Sequence, residues 1–89
     1  MRCFKKCRVE LTIQDKSLKC EGSITLPDEI MVHYDILPNE QVHVLNKNNG
    51  ERFITYAIEG TEVKLNGAAA RLGEVGDKII LITYEYKEV

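Results

Sequence analysis

Cys7, Val9, Leu11 and Ile13 alternate with Arg8, Glu10, Thr12 and Gln14, a period of two that predicts a half-buried strand. Asp15 to Ser17 has turn chemistry, and Leu18 to Thr25 resumes as a second strand. Within that second strand stands Gly22-Ser23. Glycine brings no side chain to pack, and in a strand interior it marks a bulge or a close backbone approach. Pro27 to Tyr34 predicts a short helix, because Pro27 suits the first helical position and Asp28 and Glu29 complement the positive end of the helix dipole. Ile30, Met31 and Tyr34 share one side of it at the spacing of core packing.

Val42 to Leu45 reads as a third strand. Asn48-Asn49-Gly50 is the strongest hairpin signal in the chain, since Asn-Gly tolerates the positive φ values of a type I′ turn. Glu51 to Glu59 follows as a fourth strand, ended by Gly60, and Thr61 to Leu65 as a fifth. The run from Asn66 to Asp77 is a loop with about one helical turn. Lys78 to Tyr86, rich in Ile and Tyr, is the final strand. Many short strands, one short helix and frequent turns predict a mainly β protein, a small β-barrel.

Composition narrows the function classes. Eighty-nine residues with 44% hydrophobic and 29% charged side chains make one ordinary globular domain, residues 1–89, with a thin core. The net charge is −2, and the one basic cluster, Lys5 to Arg8, is followed by Glu10. Phosphate neutralisation needs clustered Lys and Arg, so nucleic acid is not the expected partner. Neither a signal-peptide core nor a run of about 18 apolar residues is present, which gives a cytoplasmic protein with no membrane association as the expectation. Cys3, Cys7 and Cys20 are odd in number and far in sequence from His33 and His43, so free, packed thiols are expected and no metal site.

Three stretches are richer in chemistry than packing requires. One is Cys20 to Thr25. In Asn49 to Gly60, Arg52, Ile54, Tyr56 and Ile58 fall on one strand face and Phe53, Thr55 and Ala57 on the other. That pattern fits a solvated barrel face, and it equally fits an anion-binding Arg beside a phenolic proton donor. In Leu65 to Ala70, small residues after Asn66-Gly67 mean either tight packing or backbone N–H groups left open to a ligand.

Taken together, "EGSIT", "NNGERFITYAI" and "LNGAAARLGEVGDKIILITY" resemble the pyruvoyl-dependent aspartate 1-decarboxylases, in order, from about Val9 to Tyr84. The resemblance implies a six-stranded double-psi β-barrel with one or two short helices. It implies a homotetramer with active sites between subunits, and conversion of L-aspartate to β-alanine and CO2 for pantothenate synthesis. It also implies a proenzyme that cuts itself between Gly22 and Ser23. Ser23 would attack the preceding carbonyl and end as a pyruvoyl cofactor that forms a Schiff base with the substrate amine. On matching positions, Arg52 would hold a substrate carboxylate, Thr55 would bind near the substrate and assist self-cleavage, and Tyr56 would return the proton after CO2 leaves. Gly67, Ala68 and Ala69 would contact the substrate through their backbone, with Asn66 supporting the site. Thr55 and Tyr56 have opposite strand parity, so a bulge, a strand end or a shared site is expected there.

Two features depart from the family pattern. Aligned without gaps, its substrate-binding lysine on the first strand falls on Cys7 and its tyrosine before the cleavage glycine falls on Cys20. These could form a reactive pair or a disulfide, or fill the space as small apolar groups. A bulge could bring Lys5 or Lys6 back to the vacated position. Family chains normally run some tens of residues past the position of Val89. Three alternatives therefore stand beside the decarboxylase: an uncleaved, non-catalytic family member acting as a binding or assembly barrel, a decarboxylase with another substrate, and a DNA-binding swapped-hairpin barrel.

Overall fold

The structure, a computed structural model, describes residues 1–19 and 21–89. Its strands are β1 (Arg2–Thr12), β2 (Asp15–Ser17), β3 (Gly22–Pro27), β4 (Gln41–Asn46), β5 (Arg52–Gly60), β6 (Lys64–Gly67) and β7 (Lys78–Lys87). One α-helix, α1 (Asp28–His33), and a 3-10 helix, Ala68–Leu72, complete the elements. The fold is mainly β. Among the described residues no helix is long and apolar enough to cross a membrane.

All seven strands belong to one sheet, ordered β1-β7-β4-β5-β3-β6-β2. The expected count of six rises to seven because Asp15 to Ser17, read as a turn, pairs in parallel with Lys64 to Asn66. A turn composition does not prevent strand geometry when a neighbouring edge offers unpaired backbone groups. The sheet is not closed, since β1 and β2 are its two edges and do not pair with each other. It is nevertheless curled. Laid flat, seven strands would span about 29 Å, yet the edge strands β1 and β2 follow each other in the chain with only Ile13 and Gln14 between them. Those residues bridge the gap through Ile13 N–H to Asp77 O (3.0 Å) and Gln14 N–H to Val63 O (2.8 Å).

Period-two patterning supplies the interior. Val42 and Val44 of β4, Ile79 and Leu81 of β7, Ile24 and Leu26 of β3 and Leu65 of β6 are all fully buried. Each contributes about 1.5–3 kcal/mol relative to exposure. Met31 of α1 and Ile36 cap one end of this core, while Val32 on the other side of the helix is exposed.

Several boundaries move. The first strand begins at Arg2 and ends at Thr12. Leu18 and Lys19 lie outside the second strand, which runs from Gly22 to Pro27 instead of Leu18 to Thr25. Pro27 is the N-cap rather than the first helical residue, with φ −56° and ψ 140°. The fifth strand expected at Thr61 to Leu65 runs from Lys64 to Gly67, so Asn66 is a strand residue. The β4–β5 hairpin exists, but its turn is not type I′, which needs positive φ at two successive residues. Gly50 alone has it (φ +77°), and Asn46 Oδ1 and Asn49 Oδ1 accept from the Asn48 and Glu51 N–H groups at 2.9 Å.

Candidate active site

The parallel pairing of β3 with β5 begins at Ile24 opposite Ala57, and the β4–β5 ladder continues unbroken past it to Leu45 opposite Arg52. Thr55 and Tyr56 therefore sit where β5 loses one neighbour and keeps the other. There is no bulge at this point. The end of the β3–β5 ladder is what lets residues of both parities border one space.

That space is a cavity of about 460 Å³ lined by Glu21, Gly22, Phe53, Ile54, Thr55, Tyr56, Ala68, Ala69 and Leu72. The Tyr56 hydroxyl points at Glu21 Oε1, 3.5 Å away. Gly22 has φ +150°, a backbone conformation that L side chains rarely adopt. A Cβ built on it would lie 3.9 Å from the Ala68 N atom and 4.0 Å from that of Ala69, so the start of the 3-10 helix closes over the glycine. Ala68 N–H donates to Glu21 O at 3.3 Å and fastens that closure. Gly67, with φ +61° and ψ −134°, makes the sharp change from β6 to the 3-10 helix.

Ser23 lies on the opposite side of β3 from the cavity-lining Gly22, as successive strand residues must. It is 3% exposed, and β3–β6 pairing places it directly opposite Asn66. Asn66 Nδ2 donates to Ser23 Oγ at 3.0 Å and to Thr25 Oγ1 at 2.8 Å. The Gly22–Ser23 peptide thus separates a cavity from a small buried polar cluster. Gly22, Thr55, Tyr56, Ala68 and Ala69 meet at the cavity, and Ser23 and Asn66 meet behind it. Arg52 joins neither group. It is exposed near the start of the β4–β5 ladder, and its parity puts it on the outer sheet face.

The cysteine and lysine expectations divide. Cys7 is half-buried, its Sγ 2.9 Å from Thr83 Oγ1, and Cys3 is exposed rather than packed. Cys20, and any pairing of it with Cys7, lies outside the described residues. A register shift does occur in β1, between Lys5 and Cys7. It does not carry Lys6 to the cavity, because the Lys6 ammonium contacts the Asp35 carbonyl and the Asp35 and Glu40 carboxylates (3.7 and 3.9 Å).

Two participants escape a reading of the sequence. Thr25 is the residue after next to Ser23 on the same strand face, and that parity was the available signal. Asp77 acts at a distance. Its carboxylate accepts from Asn46 Nδ2 and from the Glu74 N–H, each at 2.9 Å. These bonds, the Asn46 one foremost, hold its pKa below the usual value of 3.8. Asn46 Nδ2 also donates to Leu72 O at 3.2 Å, so this network anchors the far end of the 3-10 helix whose first residues line the cavity.

The sequence has relatives among known proteins. The sequence profile described as aspartate decarboxylase matches residues 2–89. An aspartate 1-decarboxylase of Kosmotoga olearia is 50% identical over 88 residues, covering 93% of this chain and 76% of that protein. One of Thermoanaerobacter pseudethanolicus is 55% identical over 76 residues, 81% of this chain and 65% of that protein. One of Dehalococcoides mccartyi is 52% identical over 77 residues, 82% of this chain and 62% of that protein. The match thus covers about three quarters of the first relative and less than two thirds of the other two.

Proposed function

The chain belongs to the aspartate decarboxylase family, and from that premise we propose that it is a self-processing, pyruvoyl-dependent decarboxylase converting L-aspartate to β-alanine and CO2. The observation that carries this reading is a buried serine hydroxyl, held by Asn66, directly after a glycine in a left-handed conformation at the edge of a cavity.

In the processing step, Ser23 Oγ bonds to the Gly22 carbonyl carbon, the Gly22–Ser23 C–N bond breaks, and an ester links Gly22 to the Ser23 oxygen. Loss of the Ser23 α-proton with departure of the Gly22 carboxylate leaves a dehydroalanine. Water then replaces its nitrogen, which leaves as ammonia, and the product is a ketone at position 23. Gly22 supplies the backbone freedom this demands, and Thr55 stabilises the oxyanion at the attacked carbonyl. Position 23 suits a ketone, since the Asn66 amide that now donates to a hydroxyl oxygen serves a carbonyl oxygen equally well. When formed, the pyruvoyl group supplies an electron sink for the bond to the departing carboxylate.

The chain's own residues do the rest. Tyr56, whose phenol borders the cavity, delivers the proton that replaces CO2. The backbone of Gly67, Ala68 and Ala69, with Asn66 behind it, binds the substrate from the 3-10 helix side. Arg52 is suited to a carboxylate by its bidentate fork, and its place on the outer face, outside the cavity, fits service to a neighbouring copy's site. That face carries Ile54, 59% exposed, beside half-buried Leu45, Ile80 and Ile82. A homotetramer with sites between subunits follows from this reading. The two parallel strand pairs and the curled sheet support the double-psi β-barrel as its framework.

A second reading, a decarboxylase for a different amino acid, is favoured by Cys7, which stands where an alignment without gaps puts the family's substrate-binding lysine. Release of CO2 and β-alanine from L-aspartate, abolished in Ser23→Ala, supports the main reading. Turnover of other amino acids with none of aspartate supports the second. No turnover by a fully processed chain contradicts both.

A further inference from the structure

Asn66 has two amide hydrogens, and β3 offers an acceptor for each: Ser23 Oγ at 3.0 Å and Thr25 Oγ1 at 2.8 Å. The register explains how one side chain reaches both. Ser23 is directly opposite Asn66 and Thr25 is its diagonal neighbour, and the second amide hydrogen spans that diagonal. Thr25 is itself fixed from the other side. A Cβ at Gly60 would fall 2.4 Å from Thr25 Cγ2, so the methyl occupies space that exists only because residue 60 is glycine. A β-branched side chain has few χ1 options. Seating the methyl against Gly60 turns the hydroxyl toward Asn66.

We infer that Thr25 is a positioning residue for self-cleavage, an inference that rests on the proposed processing at Gly22-Ser23. With Thr25 holding one N–H, the Asn66 amide cannot rotate without losing a hydrogen bond. Its other N–H therefore keeps Ser23 Oγ in one rotamer. The Gly60 seat, the Thr25 hydroxyl and the Asn66 amide form a relay that sets the nucleophile, and Thr25 touches none of the reacting atoms.

The test is a time course of chain splitting by intact-mass spectrometry for the parent, Thr25→Val and Thr25→Ser. Valine keeps the methyl and the shape but removes the acceptor. Thr25→Val is expected to split about threefold to tenfold more slowly, the worth of one hydrogen bond, and Thr25→Ser, which keeps the acceptor but loses the methyl seated against Gly60, to split at a rate between the two. In the unsplittable Ser23→Ala background, Thr25→Val is expected to shift the Asn66 side-chain amide signals in 15N NMR, and Thr25→Ser to shift them less. A parent that splits while Thr25→Val splits equally fast overturns the positioning role alone, as does a serine variant slower than valine or an unmoved Asn66 signal, and a serine variant as fast as the parent removes the Gly60 seat from the relay. A parent that never splits removes the processing reading, and this inference with it.

Discussion

At residue scale, Gly22 and Tyr56 carry the sharpest consequences. Gly22→Ala has room for its methyl, 3.9 Å from the nearest Ala68 atoms, so its cost is conformational rather than steric. Holding alanine at φ +150° should cost about 1–3 kcal/mol, read as a lowered denaturation midpoint of the uncut chain. An unchanged midpoint would show that the glycine is not needed for its backbone. Tyr56→Phe keeps the ring and removes the proton. It should leave chain splitting intact while lowering decarboxylation by about 10²–10⁴-fold, and full activity in the phenylalanine variant would remove Tyr56 from the proton step. These candidates stand out in the sequence, because Gly22-Ser23 interrupts an alternating run and Arg52, Thr55 and Tyr56 are dense in chemistry, though of the last three only Thr55 and Tyr56 line the cavity. Thr25 was legible only as a residue sharing a strand face with Ser23, not as a partner of Asn66. Its partner Asn66 is 41 residues away, and only the β3–β6 register makes them neighbours.

Among elements, the 3-10 helix decides whether the cavity has a roof, and its anchorage is electrostatic and steric together. The folded pKa of Asp77 is depressed, so its contribution is fully present above the ordinary value of 3.8 and is lost as pH falls through the lowered folded value. The parent's melting temperature should therefore decline from about pH 4 downward, and Asp77→Asn should flatten that part of the decline. Identical acid profiles would show that the Asn46 and Glu74 bonds to Asp77 contribute nothing. Gly73, just past the helix, tests packing. A Cβ there would stand 2.7 Å from Ile13 Cδ1 and 2.9 Å from Leu65 Cδ1. Gly73→Ala should cost about 1–3 kcal/mol by overpacking, checked by denaturant unfolding. Periodicity located β4, β5 and β7 well because each buries one face. It misplaced β2 and β6, since Asp15 to Ser17 and Lys64 to Gly67 are strands by virtue of their partners and not of their own patterning.

For the whole molecule, the curled sheet brings β3, β5 and β6 together around one peptide bond, although β3 lies far in sequence from the other two. The mainly β character was legible in the number of short strands, but the seventh strand and the open β1 and β2 edges, where a closed barrel was expected, were not, because pairing across the sheet leaves no mark on local composition. The proposed tetramer calls for an interface on the outer face beside Arg52. Light scattering should find a four-chain mass for the parent and a smaller one for Ile54→Asp, and a parent that is monomeric at micromolar concentration would contradict the shared site. Whether this chain makes its own reactive group is decided by intact-mass spectrometry of purified protein during prolonged incubation. The expected result is two fragments, one ending at Gly22 and one beginning at position 23 with no free amine, and a single uncut chain in Ser23→Ala. A parent that remains a single uncut chain of 89 residues would contradict self-processing.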